Sequence, residues 1–426
     1  MNPLSHRGQA KAAEAADWLA AAVFASLPWS TSATGILIFC WIVAVLPTLS
    51  RSLLLEHLRR PAVFLPLALW ALLCLGMLWS DKSWSESLDG LKHFHKLLVL
   101  PLLIIHFSRS ERGLRAFGVF VVSSIVLLLY SWASWWWPSL VYGNRAPGVP
   151  VKDYIFQGTN FVLSACVLCH VALVYLRDGK HLYAGLCAAL VALFAANVVF
   201  VSISRTALIS FLVLLLVVGY QHFGKKGALA LTAIFIIVCA VGWTTSSDFR
   251  TRVMEVSQAF VEEAEAPTST GQRLMFWRKS LEVIQHRPLF GYGTGALTGL
   301  FVPDKPGEKL DPFVGPNNPH NQTFAVGIQV GLVGVALLYL MWAAHLVLFV
   351  GQSWPARFGL LIVLQNIVNS LFNSHLSDFT AGWLYVFGVG ALAGALHAAR
   401  EASPLRAGSP AAAKPEDQRL VSGAVR

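Results

Sequence analysis

Uninterrupted apolar stretches, each about as long as a bilayer is thick, recur from Asp17 almost to Arg400. An apolar run of about 20 residues spans the hydrocarbon core as an α-helix, because the helix satisfies every backbone polar group within the segment. Charged residues make up only 13% of the 426-residue chain, so few positions interrupt these runs. The sequence therefore predicts an all-α integral membrane protein that crosses the bilayer many times.

The apolar runs predict twelve membrane-spanning helices. Their expected ranges are 17–29, 33–50, 62–79, 96–108, 116–137, 158–176, 182–202, 204–221, 227–243, 321–349, 357–373 and 380–398. The chain then divides into four regions, which are spans one to nine in 1–243, a large loop with short helices in 244–319, the last three spans in 320–400, and a disordered tail in 401–426. Because twelve is even, both termini are expected on the same side of the membrane.

Basic residues indicate which side that is, because short cytoplasmic loops are enriched in lysine and arginine. They lie in alternate connections and near the termini, as Arg7, Lys11, Arg51, Arg59, Arg60, Arg109, Arg112, Arg115, Arg177, Lys180, Lys225, Lys226, Arg357 and Arg400. We therefore expect cytoplasmic termini and an extracytoplasmic loop 244–319, where ATP is not available. Much of the formal net charge of +10 is this topological signal, so a nucleic-acid partner is not expected.

Two segments of the long loop resemble ligand-binding motifs. Gly291-Tyr-Gly293-Thr-Gly295 resembles a nucleotide-binding loop, but no strand precedes it, and we predict a flexible turn instead. Glu262-Glu263-Ala-Glu265 is the nearest approach to a metal-binding acidic cluster, and it is typical of the solvated face of a short helix. We therefore expect no bound nucleotide, no metal and no cofactor.

Arg205 is the one formal charge between Leu182 and Tyr220, at the expected outer end of two helices. An arginine at a span end costs a few kcal/mol unless it reaches the headgroup zone or meets an anion. A lipid phosphate is the partner that we favour, and the alternative is that Arg205 is an interfacial anchor.

Arg273 stands near the start of an amphipathic segment that follows Gly271. Exposed N–H groups at a helix start attract phosphate, and a guanidinium group grips phosphate through two parallel hydrogen bonds. We expect Arg273 to form an anion site, with Gln272 and Arg278 as supporting residues. Arg278 suits a solvated helix face equally well.

His320 immediately precedes the expected span 321–349. In the first turn or at the cap, the positive end of the helix dipole favours an uncharged imidazole, and an uncharged imidazole is able to accept a proton. Asn318 and Asn321 would orient the ring or hold hydroxyl groups of a polar substrate. The alternative is that His320 is only a cap or interfacial residue.

Two further outer segments carry polar residues. His375 and Asp378 would form a polar pair beside His320, or else belong to a hydrated turn. Segment 80–96 suits a helix lying at the interface, with Lys82 and its neighbouring lysines near the phosphates of membrane lipids. We expect Lys82 and His375 as supporting residues of the site.

Together these motifs resemble the O-antigen ligase and polymerase superfamily. The features that carry the resemblance are Arg205 after an outer helix end, Gly271-Gln272-Arg273-Leu274, Phe290-Gly-Tyr-Gly293-Thr-Gly295, and Pro319-His320-Asn321. The resemblance implies an enzyme at the periplasmic face of the bacterial inner membrane that moves O-antigen from undecaprenyl diphosphate to a sugar hydroxyl of lipid A–core oligosaccharide. It also implies a metal-independent, inverting glycosyltransferase with a GT-C type membrane fold.

The residue roles follow from the same resemblance. Arg205 and Arg273 match the arginines that hold the donor diphosphate, and His320 matches the histidine that activates the acceptor hydroxyl. An O-antigen polymerase or a protein O-oligosaccharyltransferase of the superfamily is the first alternative. A lipid flippase or transporter is the second, and it predicts two related halves with polar or broken helices at mid-membrane depth.

Overall fold

The computed structural model describes residues 6–261, 269–301 and 317–407, and these stretches form fifteen α-helices joined by turns. They are α1 (His6–Ser26), α2 (Thr31–Val45), α3 (Arg51–Leu58), α4 (Pro61–Gly76), α5 (Trp84–Lys92), α6 (Val99–Phe107), α7 (Gly113–Trp136), α8 (Tyr154–Arg177), α9 (His181–Phe200), α10 (Arg205–Thr245), α11 (Ser247–Val261), α12 (Ser269–His286), α13 (Gln322–Leu348), α14 (Trp354–Ser370) and α15 (Phe379–Ala407).

Eight helices of these described stretches are long and apolar enough to cross a membrane. They are Thr31–Thr48, Pro61–Trp79, Gly113–Trp136, Tyr154–Arg177, His181–Phe200, Arg205–Thr245, Gln322–Leu348 and Phe379–Arg400. The predicted class, a helical membrane protein with many crossings, is confirmed, and the count of twelve spans stays a prediction. Helix α15 runs to Ala407, so the start of the expected disordered tail 401–426 is helical, and 408–426 lie outside the described residues.

Helix α10 consists of two antiparallel legs rather than one rod. Gly224, with φ +61°, breaks the helical conformation, and the rings of Phe211 and Phe235 pack 5.5 Å apart. In an unbroken helix these two residues would be about 36 Å apart. Residues 205–222 and 225–245 therefore form a helical hairpin, in agreement with the two spans expected there.

Helix α13 also folds back on itself, which the sequence analysis did not anticipate. Gly331 has φ +65°, and the hydroxyls of Thr323 and Tyr339 lie 3.1 Å apart, although an unbroken helix would separate these residues by about 24 Å. Residues 322–329 and 332–348 are therefore antiparallel legs. The expected single span 321–349 is wrong, because a glycine in the left-handed region turns the chain within an apolar run.

Helix α4 fixes the direction of the second leg of α13. His345 Nε2 lies 3.0 Å from the carbonyl oxygen of Ala62 at one end of α4, and a Cβ on Gly76 at the other end would lie 3.0 Å from Val330. The bend thus lies at the Gly76 end of the bundle. The first leg, residues 322–329, is about 12 Å long and ends at the bend. The segment before this leg therefore lies about 12 Å below the bend, inside the bundle.

The glycine turn 291–295 holds this bend in place. The backbone N–H groups of Tyr292 and Gly293 donate to the carbonyl oxygens of Ile328 and Gln329, at 2.9 and 2.8 Å. These carbonyls end the first leg of α13 and have no partner within that leg. The expected flexible turn is wrong, because the turn is a packed cap for the broken helix.

Substituting Gly331 with alanine tests the bend. An added Cβ would lie against the carbonyl oxygen of Leu289 in addition to forcing a side chain into the left-handed region. We expect Gly331→Ala to lower the free energy of unfolding by about 3 kcal/mol or more. Gly224→Ala is the matched control, since Gly224 has φ +61° but open space around it, and about 1–2 kcal/mol is expected there. Equal losses in unfolding experiments in detergent would contradict the packed bend.

The two ends of the bundle differ in chemistry. Lys96 and Leu371 lie at one end of α6 and α14, and we call this the site end; Arg109 and Arg357 lie at the opposite end of the same helices. At that opposite end, basic side chains form hydrogen bonds with backbone carbonyl oxygens and with a histidine. Arg109, for example, donates to the carbonyl oxygen of Thr48 at 3.1 Å. The basic residues of the alternate connections therefore lie at the end of the bundle opposite the site end.

Candidate active site

Two recessed loops, 317–322 and 371–378, are bonded to each other at the site end, and we call them the paired loops. Asn318 Nδ2 donates to Asn373 Oδ1 at 3.0 Å, and Ser374 Oγ donates to Asn318 Oδ1 at 2.7 Å. Further along, Gln322 Oε1 accepts the backbone N–H of Leu376 at 2.9 Å. The predicted supporting residue Asn318 is thus the centre of a network that fixes the loop before α13.

His320 has an uncommon backbone conformation. Its φ is +51°, which makes it the one non-glycine residue with positive φ among the residues that the structure describes. Its N–H donates to Asn318 Oδ1 at 2.9 Å, and only 5% of the residue is exposed. Strained backbone of this kind costs about 1–3 kcal/mol and tends to occur at functional sites, where surrounding contacts maintain it.

Asn321, not His320, caps α13. Asn321 Oδ1 accepts the N–H groups of Thr323 and Phe324 at 2.9 and 3.3 Å, and its Nδ2 donates to the Leu371 oxygen at 3.1 Å. The expectation that His320 lies at the cap or in the first turn is therefore wrong by one position. Asparagine is among the strongest N-caps, so it takes that place, and His320 stands just before the helix.

Lys96 clamps the second of the paired loops. Its ammonium nitrogen donates to the carbonyl oxygens of Leu376, Ser377 and Asp378, at 3.1, 3.1 and 2.6 Å, and only 2% of Lys96 is exposed. An ammonium group has three donors, and all three are used here. Gly382 leaves room for this side chain, because a Cβ there would lie 2.7 Å from the Lys96 nitrogen. The expectation that this lysine lies near lipid phosphates is wrong.

Replacing Lys96 with methionine would leave three buried carbonyl oxygens without their donor. We expect the free energy of unfolding to fall by about 3 kcal/mol, because each buried carbonyl oxygen that loses its donor costs about 1–3 kcal/mol. Lys92→Met is the matched control, since Lys92 lies on the same segment but is exposed and pairs only with Asp89. Equal unfolding midpoints for the two variants would rule out the clamp.

His375 lies inside the second loop, 5% exposed, and its Nε2 has no hydrogen-bond partner among the described residues. Burial lowers the pKa of His375 most; Asp378 and Asp153 raise it, and the charge of Arg273 lowers it further. His375 is therefore buried, whereas Asp378 of the same loop is exposed. Trp277, one turn after Arg273 on α12, has its ring 6.2 Å from that of Phe324 in the first turn of α13, so α12 lies beside the helix that follows His320.

Arg205 lies in the first turn of α10, which Ser204 caps by accepting the N–H of Ala207. Its Nη1 donates to Thr270 Oγ1 at 2.6 Å, so the first turns of α10 and α12 are in contact. Thr270 and Arg273 are three residues apart and lie on the same side of α12. The structure thus brings together the two arginine segments that the sequence analysis singled out separately.

The other predicted supporting residues have different surroundings. Gln272 is buried in the first turn of α12, whereas Arg278 is exposed further along that helix. Lys82 donates to the Thr298 carbonyl at 2.8 Å and so is tied to the chain that follows the glycine turn. The acidic segment 262–265 lies outside the described residues. In the described stretches no group of three or more His, Cys, Asp and Glu side chains is arranged to hold a metal ion.

The sequence analysis missed three residues that organise this site, Lys96, Asn373 and Ser374. Lys96 stands at the start of an apolar segment, a position that fits a buried lysine bound to carbonyl oxygens. The same position also fits a lysine whose side chain extends to the lipid headgroups. The two polar loop residues had no signal of their own, because asparagine and serine are common in any turn.

Comparison with known protein families gives a match to part of the chain. Residues 188–339 match the family described as O-Antigen ligase, and this range includes Arg205, Arg273 and His320. A search of proteins of curated function found no match to the chain. The match covers 152 of the 426 residues and supports the resemblance to the O-antigen ligase superfamily that the sequence predicted.

Proposed function

We propose that the chain is an O-antigen ligase, which transfers O-antigen polysaccharide from undecaprenyl diphosphate to a sugar hydroxyl of lipid A–core oligosaccharide. The observation that carries the proposal is the 2.6 Å contact between Arg205 and Thr270, which gathers two arginine segments at the site end. The 6.2 Å ring contact between Trp277 of α12 and Phe324 of α13 then supports a site that includes the loop before α13, which holds His320.

This arrangement suits glycosyl transfer without a metal. The bond between the anomeric carbon and the diphosphate oxygen breaks, and the acceptor hydroxyl oxygen bonds to the anomeric carbon from the opposite face, which inverts its configuration. Guanidinium groups of Arg205 and Arg273 stabilise the charge that develops on the departing diphosphate. His320 takes the acceptor proton, an effect typically worth about 10²–10⁴-fold. The donor supplies the free energy, so no nucleotide takes part.

The distribution of charge supports an orientation. Basic residues gather at the end of the bundle opposite the paired loops, and lysine and arginine are enriched on the cytoplasmic side. We infer an inner-membrane protein with cytoplasmic termini, a periplasmic site and a GT-C type fold. In this assignment 1–243 and 320–400 form the membrane region, and helices α11 and α12 belong to the periplasmic segment 244–319.

Two alternatives have support of their own. A polymerase or a protein O-oligosaccharyltransferase would use the same two arginines and the same histidine. A flippase or transporter would explain the broken helix α13, since such helices surround transported substrates. The family match at residues 188–339 favours glycosyl transfer over transport.

One reconstitution separates these functions. The full chain is placed in vesicles with lipid-diphosphate-linked polysaccharide and lipid A–core oligosaccharide. A ligase joins the two and releases one undecaprenyl diphosphate for each product, and EDTA leaves the rate unchanged. Longer lipid-linked chains would indicate a polymerase, and movement of the donor across the membrane without joined product would indicate a transporter. Either result, or a rate abolished by EDTA, would overturn the proposal.

A further inference from the structure

A second feature of the site end is a cavity of about 770 Å³ that both paired loops help to line. Its walls come from α5, residues 93–96, residues 295–298 and the loop 373–379. Neither Arg205 nor Arg273 lines it. Cavities of about 300–1,000 Å³ are typical of small-molecule sites, so it is large enough for the end of an oligosaccharide.

The cavity adjoins the segment that holds His320. Asn318 and Ser374 form part of its wall, and they are the residues whose hydrogen bond joins the paired loops. Asn318 Oδ1 also accepts the backbone N–H of His320. A molecule in this cavity therefore contacts Asn318, the residue that is two positions before the proposed general base and bonded to its backbone.

The charges of the cavity do not suit a diphosphate. Glu86, Asp89 and Asp378 face it together with two lysines. Both lysines are already engaged, since Lys92 pairs with Asp89 at 2.6 Å and Lys96 binds three carbonyl oxygens. The hydrogen bond from Ser83 lowers the pKa of Glu86, so its carboxylate is ionised at neutral pH.

The polar groups of the cavity are instead those that bind sugars. Carboxylate, amide and hydroxyl groups accept and donate hydrogen bonds to uncharged hydroxyls. They are Glu86, Asp89, Asn318, Asn373, Ser374 and Ser377. The ring of Phe379 adds an apolar surface to the same wall.

A second cavity, of about 1280 Å³, is lined by no residue of the paired loops and has more cationic than anionic side chains. Arg145, Lys152 and Arg252 line it with two aspartates, and it includes Val201 and Ile203 from the joint just before Arg205. Cationic groups thus outnumber carboxylates in this cavity, whereas carboxylates outnumber lysines in the other.

We propose that the cavity lined by Glu86, Asp89 and Asn318 binds the acceptor saccharide, an uncharged and hydroxyl-rich sugar segment, and directs its reacting hydroxyl toward His320. This inference rests on the proposed ligase function. Since neither Arg205 nor Arg273 lines this cavity, donor and acceptor then occupy separate parts of the site, and the two lipid-linked substrates do not compete for one cleft.

Asp89 is the residue to change, because it lines the cavity, is exposed, and belongs to no contact of the paired loops. Asp89→Asn removes one charged acceptor, and Asp89→Trp fills part of the cavity. In the reconstituted full chain we expect the acceptor KM to rise about threefold for the first and tenfold or more for the second, with the donor KM within twofold of wild type. Ser85→Trp is the control, since Ser85 is exposed on α5 but does not line the cavity.

The outcomes are distinguishable. If wild type joins the substrates but both Asp89 variants keep its acceptor KM, the cavity does not bind the acceptor, and the ligase function stands. If the donor KM rises instead, the cavity belongs to the donor and the inference is overturned. If wild type forms no joined product, the proposed function itself fails. Unfolding midpoints equal to that of Ser85→Trp confirm that the variants fold.

Discussion

Replacing His320 with alanine lowers the single-turnover rate of transfer about 10²–10⁴-fold and leaves donor binding within a few-fold of wild type. The imidazole is proposed to take the acceptor proton, and no donor contact is assigned to it. Alanine alone is an imperfect probe, because φ at this position is +51° and alanine adopts this conformation poorly. His320→Asn is the better variant, since asparagine tolerates the left-handed region but is no base at neutral pH.

Comparing the two variants separates the loss of the imidazole from a distortion of the backbone at this position. If both lose the same factor of 100 or more, the loss belongs to the imidazole. If His320→Asn retains more than about a third of the wild-type rate, His320 is not the base and serves only to shape the paired loops. Donor binding, measured by competition with undecaprenyl diphosphate, checks that neither variant has lost the arginine site.

Neutralising Arg205 or Arg273 lowers transfer about 10²–10³-fold, and here donor binding weakens too. Each guanidinium is proposed to stabilise charge on the diphosphate, which is present in the bound donor and grows as the bond breaks. Arg205→Lys and Arg273→Lys keep the charge but lose the planar pair of donors, so we expect them to recover only part of the rate. We expect the transfer rate to be highest for wild type, lower for the lysine variants and lowest for the glutamine variants.

Arg278→Gln provides the control for these variants, because Arg278 is exposed on the same helix as Arg273 and we expect less than a twofold change. The double variant of Arg205 and Arg273 loses less than the product of the two single losses, since the two groups act on one anion. Independent, fully multiplicative losses would indicate that the two arginines bind different groups.

The helix content and the hairpin in α10 were predictable because the sequence marks them. Lys225 and Lys226 interrupt an apolar stretch that is twice the length of a span, so a polar turn there follows from the cost of burying charge. The bend in α13 has no such mark. Gly331 lies among apolar residues on both sides, and hydropathy does not distinguish a helix that crosses the bilayer from one that turns back.

The candidate residues of the site were easier to predict than their surroundings. Arg205, Arg273 and His320 stood out because charged or titratable groups are rare in this chain. Their mutual placement depends on contacts between segments far apart in sequence, such as Arg205 with Thr270 and Ser374 with Asn318. Lys96 is an example of what the sequence does not determine. Its position fits either a headgroup anchor or a buried clamp, and only its three carbonyl partners in the structure distinguish the two.

The most direct test of the arginine site is photolabelling of the full chain in vesicles with a photoreactive undecaprenyl diphosphate analogue, followed by mass spectrometry of the labelled peptides. The account predicts labels in the first turns of α10 and α12 and in residues 318–322, all suppressed by excess lipid-linked donor. Suppressible labels confined to the opposite end of the bundle, near Arg177 and Arg357, would contradict it.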